Sequence, residues 1–383
     1  METVKGFRDI EASKRSIIRR IIEDILKKYN FQAFETPIIE YEEFVKGDNQ
    51  DDEAVSDTFK LEDKGKRKLA LRYEFTFQLK RLANNKKFPF RRYQIGEVFR
   101  DEPVSGNRFR QFTQCDADIV GSSLKDEAEV LSVVSDIFDK LKIKFLININ
   151  NRKLLNEILE EQKIKDKDKQ NVIKEIDKLD KLEEKEIRAN LKKYNAESLI
   201  AIFKKPESYF KKYKSYSEIE ELRKYCNMYK ARFNFQPSLA RGLSYYNGSV
   251  FEIKTKEIKE TIAAGGSYLV NGVQSTGISF GLDRIEMLAG IKVENKKILI
   301  ISIEQDKKAI ELADDIRKKS NISCSIMYGK ISKALDYANS LKIPHVIFLG
   351  QEEAKKGKLK LRDMKTGKEK MISEKALIEE LKG

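Results

Sequence analysis

Arginines and carboxylates gather in residues 98–121, VFRDEPVSGNRFRQFTQCDADIVG, residue types that can hold a charged ligand. Two strand-like runs flank a loop of turn residues, so the stretch is read as a hairpin with Arg100, Glu102, Arg108 and Arg110 near its ends. In the returning strand a period of two puts Gln114, Asp116 and Asp118 on one face and Cys115, Ala117 and Ile119 on the other. An ionic face can simply meet water. If it is covered, its charges need compensation, and a charged ligand is a natural source. GISFGLDRIEMLAG, residues 277–290, runs from a strand into a helix with Arg284 in its first turn. The helix dipole disfavours a cation there unless the adjacent Asp283 or a bound phosphate offsets it. LALRYEFTFQLKRLA, residues 69–83, places Glu74 and Thr76 at a strand exit, to bind an ammonium group or to serve as plain helix N-terminal residues. RGLSYYNGSVFEI, residues 241–253, taken alone reads as an ordinary hairpin turning at Asn-Gly, with Tyr245 and Tyr246 as strand residues.

The inventory excludes other chemistry. The single histidine, His345, sits in the apolar run IPHVIFLG and reads as a buried strand residue. Serine-histidine triads, histidine metal sites and histidine bases are therefore set aside, leaving arginines, carboxylates and hydroxyls. Cys115, Cys226 and Cys324 lie far apart with no CxxC pair, which suggests neither a disulfide framework nor a zinc site.

These residues need a scaffold, and 383 residues predict two or three domains. The stretch SKRSIIRRIIEDILKKY is read as a structural helix with an apolar stripe of Ile17, Ile18, Ile21, Ile22, Ile25 and Leu26. Strand-like runs fill the rest of residues 1–150. Residues 151–225 become Lys-, Glu- and Leu-rich with helical spacing, and are read as an inserted helical module whose charge runs form a solvated face. Strand and glycine patterns return over 226–295, and residues 296–383 alternate strands and helices as an α/β domain. The fold expected is α+β: a mixed, mostly antiparallel sheet of six or more strands flanked by helices, split by the insertion and followed by an α/β tail. No apolar run is long enough to cross a bilayer, and a cytoplasmic location is expected. The net charge of +14 favours an anionic partner such as nucleic acid, or reflects a Lys- and Glu-rich compositional bias.

In order along the chain, these segments resemble the class II aminoacyl-tRNA synthetases, specifically the histidine enzymes in their archaeal and eukaryotic style. KGFRDI (5–10) is similar to the family's N-terminal signature, FQAFETPIIEYEEF (31–44) to the dimer-forming motif 1, FRDE with RFRQFTQCDADI to motif 2, and GISFGLDRI to motif 3. RGLSYYNGSVFEI resembles the histidine signature RGLDYYTGTVFE, AAGGSY resembles AGGRYD, and the tail resembles the α/β anticodon-binding domain. The resemblance implies that Arg241 lies against the histidine carboxylate and the α-phosphate of ATP, with Tyr245 and Tyr246 lining the side-chain pocket. It implies that Asp118 pairs with the imidazole and that Glu74, Thr76 and Gln114 hold the ammonium group. Arg100 would grip the α-phosphate, Glu102 and Phe112 the adenine region, and Arg108 and Arg284 the outer phosphates. The implied substrates are L-histidine, ATP carrying Mg²⁺ and tRNA(His), with no prosthetic group or protein-held metal, in a homodimer. Ser244, Ser267 and the phrase RYEFT depart from the common pattern, Ser267 bearing on one polar contact near the substrate. The alternative is a catalytically silent relative such as the regulatory subunit of ATP phosphoribosyltransferase, which generally lacks the tail and degrades the signature.

Overall fold

The structure, a computed structural model, describes residues 2–46, 57–106, 108–179, 182–241, 245–292 and 297–382. The chain folds as two units, Met1–Ile291 and Lys292–Gly383.

Strands in the first unit are β1 (Gln32–Ala33), β2 (Ile39–Tyr41), β3 (Lys60–Glu62), β4 (Lys68–Leu71), β5 (Phe90–Phe99), β6 (Gln111–Val120), β7 (Leu146–Asn151), β8 (Asn234–Phe235), β9 (Tyr246–Lys254), β10 (Ala263–Val270) and β11 (Val273–Gly281). Eight of them form one sheet in the order β1-β5-β6-β11-β10-β9-β7-β8. The six inner strands are antiparallel to their neighbours, and the two-residue edge strands β1 and β8 pair in parallel. This is the mixed, mostly antiparallel sheet that the sequence predicts. The expected hairpin is present: Phe99 lies opposite Gln111, and the Arg100 amide donates to the Arg110 carbonyl at 2.8 Å.

Helix Ser13–Lys28 buries Ile18, Ile22 and Leu26 in the same apolar cluster as helix Leu124–Lys140, whose Val130, Leu131, Val134 and Ile137 are also buried. The second of these helices starts cleanly, because Ser123 and Asp126 form a capping box. That cluster also takes in Cys115, Ala117 and Ile119 of β6, so one face of the strand is apolar core. The opposite face, with Gln114, Asp116 and Asp118, is also buried.

Between β7 and β8 the chain is helical, from Arg152–Glu161 through Asp166–Ile176, Glu184–Lys192, Ser198–Phe203 and Glu207–Phe210 to Tyr216–Met228. Its apolar residues, including Ile173, Ile176, Ile187 and Leu191, are buried with the main core, which makes it amphipathic rather than merely charged. The Asn-Gly pair does not turn the chain. Asn247 and Gly248 lie inside β9, where a Cβ on Gly248 would come 3.1 Å from the Ser267 side chain, so close strand approach explains the glycine.

In the second unit β12 (Lys297–Ser302), β13 (Ser323–Tyr328), β14 (His345–Leu349), β15 (Leu359–Asp363) and β16 (Glu369–Ile372) are ordered β13-β12-β14-β15-β16. The first three are parallel and the last two antiparallel. His345 opens β14 and is partly buried. No helix among the described residues is long and apolar enough to cross a membrane.

Candidate active site

The ionic face of β6 forms the floor of a cavity of about 750 Å³ in the first unit. Into it converge Arg100 from the end of β5, Arg241 from the segment preceding β9, and Arg284 from the helix that follows β11. Glu74, Thr76, Glu102, Arg108, Phe112, Gln114, Tyr245 and Tyr246 also line it. Every site residue expected from sequence is therefore at this cavity except Asp118.

Each arginine is aimed by identifiable partners. Arg100 donates from Nε to the Tyr73 carbonyl at 3.2 Å and lies 5.2 Å from the centre of the Phe112 ring. Arg284 donates to the Thr261 carbonyl at 2.7 Å. Burial, together with the nearby Arg108 and Arg100, depresses its pKa, although Glu260 and Glu102 pull the other way. The compensation by Asp283 does not arise, because Asp283 is taken by Arg8 at 2.7 Å and Arg15 at 2.8 Å. Arg241 sits with its Nη1 3.7 Å from Glu252. Arg100 and Arg108 repel Arg284 across this cavity, and an anion of several charges would relieve that repulsion.

The carboxylates lie deeper. Burial, reinforced by the facing Asp116, pushes Glu74 up to about 7. Gln114 donates to Asp116 at 2.7 Å, and burial raises Asp116 as well. Buried Glu74 Oε1 and Arg241 Nε have no hydrogen-bond partner among the described residues, and each is complementary to an ionic ligand: an ammonium for the first, an oxyanion for the second.

Asp118 is placed differently. Its carboxylate accepts from Tyr268 and pairs at 2.8 Å with Arg92, which is fully buried and stands opposite it on β5. Those partners draw it away from the cavity lining, and Asp116, which the sequence pattern put on the same face without a role, lines the cavity instead. Burial raises Asp118 to about 6 despite Arg92. Gly277 makes this packing attainable, since a Cβ there would lie 1.9 Å from Asp118 Oδ1.

The departures from the family pattern also find places. Ser244 falls outside the described residues. Ser267 is buried and donates to Glu127 on helix Leu124–Lys140, so this hydroxyl serves the helix-covered side of the sheet and not the cavity. Burial pushes Glu127 up to about 7 from an ordinary 4.5, with Ser249 and Ser267 opposing the rise. Between those two values the folded state keeps a proton that the unfolded chain has released, so this group lowers stability as pH rises through the window. Glu127→Gln removes that cost. The variant should exceed wild type by about 3 kcal/mol at pH 8 and by much less at pH 5, read by denaturant unfolding at both pH values. Equal wild-type and variant pH dependences would contradict the assignment.

Sequence reasoning missed Lys174, Asp177 and Lys178, which reach the cavity from the helical segment. On a helix so charged, no periodicity distinguishes a cavity-facing lysine from a solvated one.

Comparison with known proteins agrees with this geometry. Residues 6–285 match the family described as histidyl-tRNA synthetase, and residues 297–383 match the anticodon binding domain. The chain belongs to the histidyl-tRNA synthetase family. Histidine–tRNA ligase 2 of Shouchella clausii is 33% identical over 418 residues, covering 97% of this chain and 98% of that protein. The crystal structure of histidyl-tRNA synthetase from Nostoc sp. PCC 7120 matches with a TM-score of 0.85 at 24% identity, over 100% of this chain and 99% of that one. A structure described as an ATP phosphoribosyltransferase regulatory subunit/histidyl-tRNA synthetase from Bacillus halodurans C matches with a TM-score of 0.75 at 19% identity, over 91% and 98%. At those identities the two structures establish a shared fold. As a member of the histidyl-tRNA synthetase family, the chain is an aminoacyl-tRNA synthetase, a ligase of protein biosynthesis.

Proposed function

We propose that the cavity activates L-histidine with ATP and transfers it to the 3′ end of tRNA(His), with Arg100, Arg241 and Arg284 as the groups that neutralise the triphosphate. The observation that carries this reading is the convergence of those three arginines, from separate parts of the chain, beside a pocket of buried carboxylates and tyrosines.

The histidine carboxylate attacks the α-phosphorus of ATP and forms a new P–O bond as the bond to pyrophosphate breaks. A ribose hydroxyl of the tRNA end then attacks the acyl carbon, and AMP leaves. A carboxylate is already a competent nucleophile, so alignment and charge neutralisation supply the catalysis without a general base. Arg241 and Arg100 hold the reacting carboxylate and α-phosphate. Phe112 and Glu102 take the adenine region, and Arg108 and Arg284 the outer phosphates, where Mg²⁺ arrives with the nucleotide. Glu74, Thr76 and Gln114 receive the ammonium group, and Tyr245 and Tyr246 flank the side chain. Asp118 contributes to imidazole recognition by exchanging one of its present bonds.

The same reading makes the chain a cytoplasmic homodimer. Exposed Ile38 in the motif 1 stretch, with exposed Ile39, Tyr41 and Leu61 on the small sheet β2-β4-β3, supports a partner surface there. The regulatory reading is favoured by no feature of the site. The purified chain should charge labelled histidine onto tRNA(His) and leave ATP phosphoribosyltransferase activity unchanged; stimulation of that activity without charging would reverse the choice.

A further inference from the structure

Arg241 owes its place to a side chain that never reaches the cavity lining. Its backbone is left-handed, φ 52°, a conformation that costs a non-glycine residue on the order of 1 kcal/mol and persists only when neighbours enforce it. The preceding residues, Gln236–Ala240, form no helix or strand. Their carbonyls are held by the end of β7 and the first residue after it. Asn150, fully buried, donates to the carbonyls of Pro237 at 2.8 Å and Leu239 at 2.9 Å. Arg152, 5% exposed, donates through Nη1 to the carbonyls of Ala240 at 3.0 Å and Arg241 at 3.4 Å. Its Nη2 donates to Gln170 of helix Asp166–Ile176 at 2.9 Å. That helix and the residues after it supply Lys174, Asp177 and Lys178 to the cavity wall.

We propose that Arg152 is a positioning residue that fixes the Arg241 backbone and ties it to the helical segment through Gln170. The planar guanidinium makes this geometry: one nitrogen spans two successive carbonyls while the other reaches a second element, which a lysine ammonium on its single point cannot reproduce. The inference rests on the assignment of Arg241 to the reacting groups. Because Arg152 holds the Arg241 backbone, its loss should fall on kcat and should add little once the Arg241 side chain is gone.

The test is histidine-dependent exchange of labelled pyrophosphate into ATP by the full chain. Arg152→Met should lower kcat by about 10²-fold with KM for ATP and histidine within about threefold, Arg152→Lys should recover little, and Gln170→Ala should lower kcat by about tenfold. In an Arg241→Ala background, Arg152→Met should add no further loss. Gln170→Ala keeps the proposal testable where Arg152→Met fails to fold. Unchanged kcat in Gln170→Ala and Arg152→Lys, or a full additional loss in the double variant, overturns it. A wild-type chain that shows no histidine-dependent exchange defeats the proposed function itself, which is a distinguishable result.

Discussion

Arg241→Ala is expected to lower histidine-dependent adenylate formation by roughly three orders of magnitude while leaving the fold intact. The size follows from what the side chain meets. In the proposed reaction a partly buried guanidinium placed beside the carboxylate and α-phosphate stabilises charge that develops only in the transition state, and mobile water is a poor substitute for a fixed donor there. The intact fold follows from what Arg241 leaves behind. Glu252, its ion-pair partner at 3.7 Å, keeps Lys254 at 3.3 Å and a hydrogen bond with the Thr261 hydroxyl, so no bare carboxylate is stranded. Pyrophosphate exchange and a thermal melt on one preparation check both halves. Near-normal exchange with an unchanged melt would remove Arg241 from the chemistry.

Glu74→Gln should raise KM for histidine by about 10²-fold and leave KM for ATP within about threefold, because a charge-assisted bond to the ammonium group is replaced by a weaker amide contact. The wild-type pH profile gives an independent reading. Below about pH 7 the Glu74 carboxyl is protonated in the unliganded protein, and above it the group is ionised and able to receive an ammonium. Apparent affinity for histidine should therefore weaken as pH falls through 7, by about tenfold per unit. The substrate imidazole titrates nearby in both proteins, so the decisive quantity is the difference in slope between wild type and Glu74→Gln. Parallel profiles would contradict the role.

Much of this site is legible in the sequence because it depends on local rules. The alternation of Gln114, Asp116 and Asp118 is a property of any strand, and it correctly separates the ionic face of β6 from its apolar one. Helix Ser13–Lys28 announces its buried stripe by spacing alone. What the sequence hides is set by register between distant segments. Whether Asp118 faces the cavity or a counter-ion depends on Arg92 standing opposite it across β5 and β6, and on Gly277 leaving room from the other side. Asn247-Gly248 has the letters of a turn, yet both residues lie within β9, at the irregularity between its Tyr246–Tyr268 and Val250–Gly266 pairings with β10. Arg152 follows directly on β7 with nothing nearby to reveal that its partners lie near residues 170 and 240.

The central claim is that three arginines and a carboxylate-rich pocket join ATP to one particular amino acid. Exchange of labelled pyrophosphate into ATP, run with each of the twenty amino acids in turn, tests it most directly. The account predicts exchange with histidine and background with the other nineteen; exchange that is absent with histidine, or equally strong with another amino acid, would contradict it.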